Sequence, residues 1–185
     1  MTHFRSIIYQ MKRVILSFSN KISRHLSRPD KKFSADMTYG ILASKSCHLT
    51  DISNQLHENS QRANTVERLT RHLDKGAPPA ALQSYLSMIR SMAPSDPVIF
   101  IDDSDIVKPD GKRFESLGLV RDGSKSSDSK NVYEKGYHAT EACALTKSGH
   151  PVSIFSQIHS SKEKDFTSVN DITFRAMNTG RSFLA

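Results

Sequence analysis

The spacing of apolar residues changes at the proline-containing segment Ala93–Pro97, which is the clearest boundary in this chain. Before this segment, apolar residues recur every three or four positions, which is the repeat of amphipathic helices. After it, short apolar runs alternate with turn-forming segments, as in strands, and helical spacing returns only toward the end of the chain. The sequence therefore predicts an α+β protein, with a helical domain over residues 1–95 and a sheet-containing domain over residues 96–185.

Particular residues mark where the predicted elements begin. Five helices are predicted in the first domain, the first with an apolar stripe from Phe4 to Ile22. Thr50 is predicted to cap the third helix, and Asn64 to begin the fourth, with Glu67 completing a capping box. In the second domain the predicted elements are strands at 98–101, 114–120, 137–145 and 151–158, a helix capped by Ser160, and the opening of a further strand at 183–185.

Charge is distributed unevenly between the two domains. Residues 1–95 carry 14 Lys+Arg against 6 Asp+Glu, a net of +8, whereas residues 96–185 carry 12 against 13, a net of −1. A strongly basic region favours a polyanionic partner, either nucleic acid or an anionic membrane surface. No apolar run approaches the roughly 18 residues of a membrane span, so no membrane-spanning segment is expected.

The cysteines and histidines point away from a metal centre of the zinc type. Cys47 and Cys143 lie far apart and neither belongs to a CxxC pair, and the histidines lack metal-ligand spacing. These features favour a reducing compartment without structural disulfides, which agrees with a cytoplasmic protein.

Two of the predicted helices could form a helix-turn-helix. The helix over 49–56 would be followed by one over 64–73 that enters the major groove of DNA. The cations expected to contact phosphates or base edges are Arg62, Arg68, Arg71 and Lys75. The alternative interpretation is an ordinary helical bundle with a solvated basic face, and the sequence leaves both open.

An acidic cluster follows the first predicted strand. The apolar run at 98–101 leads directly into Asp102, Asp103 and Asp105. Carboxylates at the end of a buried strand can be stabilised by Mg²⁺, which prefers oxygen ligands. The alternative is a solvated turn, because aspartate and serine are common turn residues.

A third interpretation of the acids is a phosphatase of the haloacid-dehalogenase type. The segment from Asp103 to Val107 fits the pattern D-x-D-x-[T/V], in which the first aspartate is the nucleophile. That family continues with a helix of an α/β repeat, whereas a turn-rich β region is predicted here, so this interpretation is the weakest of the three.

A longer stretch of sequence resembles a known family. The segments FIDDSDIVKPDGKRFESLGLVRDGSKS, KGYHATEACAL and HPVSIFSQIHSS are similar, in order and spacing, to the start of the catalytic domain of DDE-type transposases from bacterial insertion sequences. The resemblance covers residues 97 to about 180. It implies a ribonuclease H-like fold, in which a three-stranded antiparallel meander and a helix are followed by a fourth strand parallel to the first.

The resemblance also implies roles for individual residues. Asp103 would be the first metal-binding and catalytic aspartate, because it directly precedes a hydroxyl residue as in the family. Asp102 is the alternative metal ligand, Asp105 is expected to support the site or to lie in a turn, and Lys108 of the Lys-Pro pair is expected to contact DNA. The cofactor implied is Mg²⁺, with two ions roughly 4 Å apart acting on a phosphodiester.

The sequence departs from the family pattern where the fourth strand is expected. In the family, the second and third carboxylates come from that strand and a later helix, and neither is found within these residues. We therefore expect a truncated, inactive transposase that binds duplex DNA at transposon ends, near the bacterial nucleoid. The alternative is a DNA-binding module that inhibits transposition, as a homo-oligomer or bound to a full-length transposase.

Overall fold

A computed structural model describes the backbone of residues 2–184 and the side chains of residues 9–183. Within this part of the chain there are six helices and one open four-stranded antiparallel sheet, so the predicted α+β class is confirmed. The chain forms two compact units, Met1–Met88 and Ile89–Ala185. The division falls inside the fifth helix, on the N-terminal side of the boundary predicted from sequence.

In the first unit, the first four helices pack against one another in chain order. Gly40 allows two of them to approach closely, because a Cβ at this position would lie 2.4 Å from Ile52 Cγ2. Ile52 and Leu69 are fully buried and form the centre of the unit. The helices are α1 (Thr2–Ile22), α2 (Arg28–Ser44), α3 (Leu49–Leu56), α4 (Arg62–Asp74) and α5 (Pro79–Met92), the last of which continues into the second unit.

Two predicted helix starts in this unit are wrong. Thr50 lies inside α3, whose N-cap is His48. The hydroxyl at the start of this helix is that of Ser46, which accepts from the His48 amide and donates to the Asp51 carboxylate. Likewise α4 begins at Arg62 with Gln61 as its N-cap, so the capping box predicted from Asn64 is not formed.

The second unit has one long strand at its centre. β3 (Tyr133–Leu145) pairs antiparallel with β1 (Ile99–Val107), β2 (Gly118–Arg121) and β4 (Pro151–His159). Because β1 and β4 both pair with the same part of β3, they lie along its opposite edges. No other strand of the described chain pairs with the second edge of β1. Helix α6 (Val169–Leu184) follows β4.

The sheet differs from the prediction in the length of its strands. β1 continues through all three aspartates to Val107, so the acids are not in a turn; their backbone is held by pairing with β3, which a pattern of apolar residues does not predict. The strand predicted at 114–120 is observed as the shorter β2, beside the three strands of the meander that the resemblance implies. β2 is only four residues long, because Ser116 just before it has a φ of 53°, which interrupts an extended chain.

The last helix also begins and ends differently from the prediction. Its N-terminal serine is Ser168, whose hydroxyl accepts from the Asp171 amide at 3.1 Å, whereas Ser160 accepts from the Lys162 amide in the preceding turn. Phe183 belongs to α6 and is buried, so it does not open a strand.

Helix α6 covers the apolar part of one face of the sheet. Ile172 and Ala176 are buried on the helix, and Ala142 and Ala144 are buried on β3. Gly180 permits the approach, since a Cβ there would lie 3.0 Å from the Ile99 side chain. Residues directly opposite each other in the ladder share a face, so this face continues along β1 and β3 into polar residues.

Candidate carboxylate site and basic helices

The aspartates of β1 do not all lie on one face of the sheet. Asp103 is opposite Thr140 and Asp105 is opposite His138, on the face that α6 covers further along. Asp102 is opposite Glu141, and successive side chains of a strand alternate between faces. The structure therefore brings Asp103 together with Asp105, and it does not bring Asp103 together with Asp102.

Asp103 is bonded to a buried polar pair. Thr140 and His159 are both 0% exposed. The Thr140 hydroxyl donates to Asp103 Oδ1 and lies 3.0 Å from His159 Nε2. Because the only hydroxyl proton goes to the carboxylate, the second bond requires a proton on His159 Nε2. The three side chains thus form one directed chain, from the His159 ring through Thr140 to Asp103.

The surroundings of His159 favour its neutral form. Its ring is stacked between His138, at 5.6 Å between centroids, and Phe166, at 5.9 Å. Burial, together with the neighbouring His138, lowers the pKa of His159. In the neutral ring with a proton on Nε2, Nδ1 is a bare acceptor, and no described residue forms a hydrogen bond with this buried atom.

The second aspartate on this face is also held by β3. His138 Nδ1 lies 2.7 Å from Asp105 Oδ1, and the two side chains are partly exposed. Both carboxylates on this face are therefore oriented by a side chain directly across the ladder. Sequence reasoning missed Thr140, His138 and His159. Their alternation along β3 was visible, but the register that places them opposite the acids was not.

The carboxylates suit a partial site for Mg²⁺. Asp103 and Asp105 are two residues apart on a strand, so their Cα atoms are about 6.6 Å apart. Mg²⁺ is commonly bound through one or two carboxylates, with water and phosphate oxygens completing the octahedron. Among the described residues no group of three His, Cys, Asp or Glu side chains could hold a metal ion. The two carboxylates of Asp103 and Asp105 could supply part of the oxygen ligands that a hard cation requires, and the remaining ligands would have to come from elsewhere.

A structured turn lies beside the end of β1. A groove of about 590 Å³ is lined by Asp105, Val107 and residues 121–124. The nearly buried Asp122 accepts from the amide and the hydroxyl of Ser124, and these bonds, led by the hydroxyl, lower the pKa of Asp122. Lys108 is exposed at the end of the strand, where its amide extends the ladder by donating to Lys135 O at 2.7 Å.

In the first unit, Arg68 is engaged in an internal ion-pair network. Its guanidinium lies 2.7 Å from Asp36 Oδ2 and 3.1 Å from Glu58 Oε1, and its side chain is only 28% exposed. Lys32 contacts the same two carboxylates. The hydrogen bond from Lys32, with others from Thr65 and Arg68, lowers the pKa of Glu58 to about 2. The network joins α2 to α4, which makes Arg68 a structural residue.

The other predicted DNA-binding cations of α4 differ in their surroundings. Arg71 pairs with Glu67 one turn earlier on the exposed face of the helix. Arg62 and Lys75 are exposed at the two ends of α4, and no ion pair of the described residues includes them. Helices α3 and α4 are in contact and are joined by residues 57–61, so an arrangement of two consecutive helices exists. Its second helix presents fewer available cations than the sequence indicated.

Comparison with protein-family models, curated proteins and solved structures finds no match. Helices long and apolar enough to cross a membrane are also not found in the described part of the chain. The functional assignment therefore depends on the residues and their geometry.

Proposed function

We propose that this chain carries the DNA-binding region and the first part of the catalytic domain of a DDE-type transposase. The observation that supports this best is the setting of Asp103. It stands in the first strand of an antiparallel sheet with the order β1-β3-β4, directly before Ser104, and its carboxylate is oriented by a buried hydroxyl. An edge of β1 without a described partner is where the ribonuclease H-like arrangement would add its parallel strand.

In this proposal Asp103 supplies the first metal-binding carboxylate. The metal, when bound, would activate the attacking oxygen and stabilise the leaving oxygen at a phosphodiester. Thr140 keeps Asp103 Oδ1 at a fixed position, and Asp105, held by His138, adds negative charge on the same face. Complete strand cleavage would require further carboxylates beside these two, and no such group is found among the described residues.

A second candidate function is DNA binding without catalysis. It is supported by the same incomplete set of carboxylates, together with the net charge of +8 over residues 1–95. A chain of this kind would occupy transposon ends or join a full-length transposase and thereby inhibit transposition. The two candidates share duplex DNA as their partner and differ in whether the carboxylate site binds metal.

The metal-binding role of Asp103 can be tested with a matched pair of variants. Mn²⁺ is titrated into the full chain with a DNA duplex present, and bound metal is measured by water proton relaxation. Asp103→Asn should weaken binding by tenfold or more, because it removes a charged oxygen ligand. Asp102→Asn makes the same chemical change on the opposite face and should alter binding less than twofold. Equal losses in the two variants would contradict the site, and no Mn²⁺ binding by the unmodified chain would favour the non-catalytic candidate.

A further inference from the structure

One face of α1 carries basic side chains that point to solvent. Residues 9, 13, 16 and 20 follow one another at intervals of three or four and so share a side of the helix, and Arg24 stands in the turn that follows its last residue, Ile22. An open groove along this side is lined by Tyr9, Lys12, Arg13, Leu16, Ser17, Asn20, Lys21 and Arg24. We call Arg13, Lys21 and Arg24, together with Tyr9 and Asn20, the α1 basic face. All five residues are exposed.

The opposite side of α1 fixes the direction in which this face points. Ser19 and Ser23 are buried, and the Ser23 hydroxyl donates to Ser19 O at 2.6 Å. Helix α1 packs against α2, where Lys12 lies over the Tyr39 ring at 5.4 Å from its centroid. The α1 basic face therefore cannot turn inward without breaking this packing.

The cations of this face have no acidic neighbour. The first acid in the chain is Asp30, so α1 itself offers no carboxylate. None of the ion pairs found among the described residues includes Arg13, Lys21 or Arg24. On α4, by contrast, Arg68 and Arg71 are both paired internally. A phosphate binding at Arg68 or Arg71 would have to compete with protein carboxylates, which leaves only Arg62 and Lys75, at opposite ends of α4, as unpaired cations among the four predicted there. A phosphate binding to α1 would displace only counterions.

We propose that the α1 basic face is the main surface through which the first unit contacts the phosphate backbone of duplex DNA. The inference rests on the proposed function, in which DNA is the partner, and assigns the contact to α1 instead of α4. Arg13 to Lys21 spans about 12 Å of helix, and Arg24 stands in the turn just beyond its end. Phosphates follow one another every 3.4 Å along the axis of each DNA strand, so this length is sufficient for several contacts.

Apolar residues do not form a continuous surface within the α1 basic face. A helix lying in a membrane surface buries a broad apolar face in the lipid. Leu16 is exposed between Arg13 and Asn20, and the exposed Met11 and Val14 lie outside this face. The α1 basic face instead has Asn20 among its cations, and a polar amide there suits a phosphate or sugar contact better than lipid.

The test compares two variants of the full chain that remove the same charge. Arg13→Gln/Lys21→Gln/Arg24→Gln changes the α1 basic face, and Arg62→Gln/Arg71→Gln/Lys75→Gln is the control on α4. Affinity for a fluorescent 20-base-pair duplex is measured by anisotropy at several salt concentrations. Each lost phosphate contact lowers the slope of log K against log salt by about 0.9, so the α1 variant should lose about 2.7 and the control less than about 1. At 0.15 M salt the α1 variant should bind roughly 100-fold more weakly.

The possible results separate the inference from the function on which it rests. A slope that falls in the α4 control and not in the α1 variant would overturn the inference while leaving DNA as the partner. No salt-dependent binding by the unmodified chain would instead overturn the proposed function. Tighter, α1-dependent binding to phosphatidylserine-containing vesicles than to the duplex would assign the face to membranes and also reject the inference. Arg24→Gln alone, with an expected slope change of about 0.9, repeats the test if the triple variant loses helicity.

Discussion

Replacing Thr140 by valine preserves the shape of the side chain but removes the hydroxyl that joins Asp103 to His159. Asp103 is exposed, so water can replace the bond that it loses. His159 is fully buried, and its Nδ1 already lacks a partner. After the substitution both ring nitrogens of His159 would be buried without hydrogen bonds.

The expected cost follows from this asymmetry. A buried donor left without a partner costs about 1–3 kcal/mol, and we expect the free energy of unfolding of the second unit to fall by this amount. Thr140→Ser keeps the hydroxyl and loses one methyl group, so its cost should be about 0.8 kcal/mol. Thr140→Val combined with His159→Phe removes both polar partners, and its cost should be smaller than the sum of the two single changes.

The assay must report on the second unit alone, because a global unfolding curve would mix the two units. Hydrogen exchange of the β3 amides, measured by mass spectrometry, gives the free energy of opening of the strand that carries Thr140. Thr140→Val should exchange faster than Thr140→Ser. Exchange in Thr140→Val that is as slow as in Thr140→Ser would refute the reasoning that the hydroxyl satisfies His159.

Two further predictions concern the first unit. Because the folded-state pKa of Glu58 is lowered to about 2 from its ordinary value of 4.5, its ionised form stabilises the fold above about pH 4.5, and this contribution is lost as the pH falls toward 2. Glu58→Gln should therefore make the free energy of unfolding depend less on pH below about pH 4.5, by about 1 kcal/mol after allowance for solvent screening. Thermal melts followed by circular dichroism would measure this change, and an unchanged pH profile would contradict the ion-pair network. Gly40→Ala should destabilise the unit by about 1–3 kcal/mol in urea unfolding, because the new methyl group would overlap Ile52, and a stabilised variant would show that α2 and α3 can separate without cost.

Much of the secondary structure could be predicted from local sequence pattern. The helices of the first unit and the strands β3 and β4 follow directly from the period of their apolar residues. The errors come where tertiary contacts override that pattern. Phe183 was assigned to a strand, yet it is buried as part of α6, and β1 extends through acids because β3 supplies the hydrogen bonds.

The candidate site was only partly predictable, because local sequence pattern shows the acids and not the residues that contact them. The acidic cluster after an apolar run pointed to Asp102, Asp103 and Asp105, and only the resemblance to DDE-type transposases singles out Asp103, whose metal-binding role stays a prediction. The partners Thr140 and His159 depend on the register between strands that are far apart in the chain. Similarly, Arg68 looks like a DNA contact in a helical pattern, whereas its engagement by Asp36 depends on how α2 and α4 pack.

No described strand pairs with the second edge of β1, and the acids of β1 influence which strand could pair there. If another copy of β1 aligned antiparallel to it about Ser104, Asp103 of each copy would lie opposite Asp105 of the other, at cross-strand spacings of about 5 Å. Like charges at that spacing oppose pairing, so at neutral pH this edge of β1 repels another copy of β1. Its backbone N–H and C=O groups can still form hydrogen bonds with a different strand. A strand that brings lysine, arginine or hydroxyl groups to these positions would meet no such repulsion. The acids of β1 therefore disfavour extension of the sheet by a copy of the same strand and favour pairing with a strand of complementary charge.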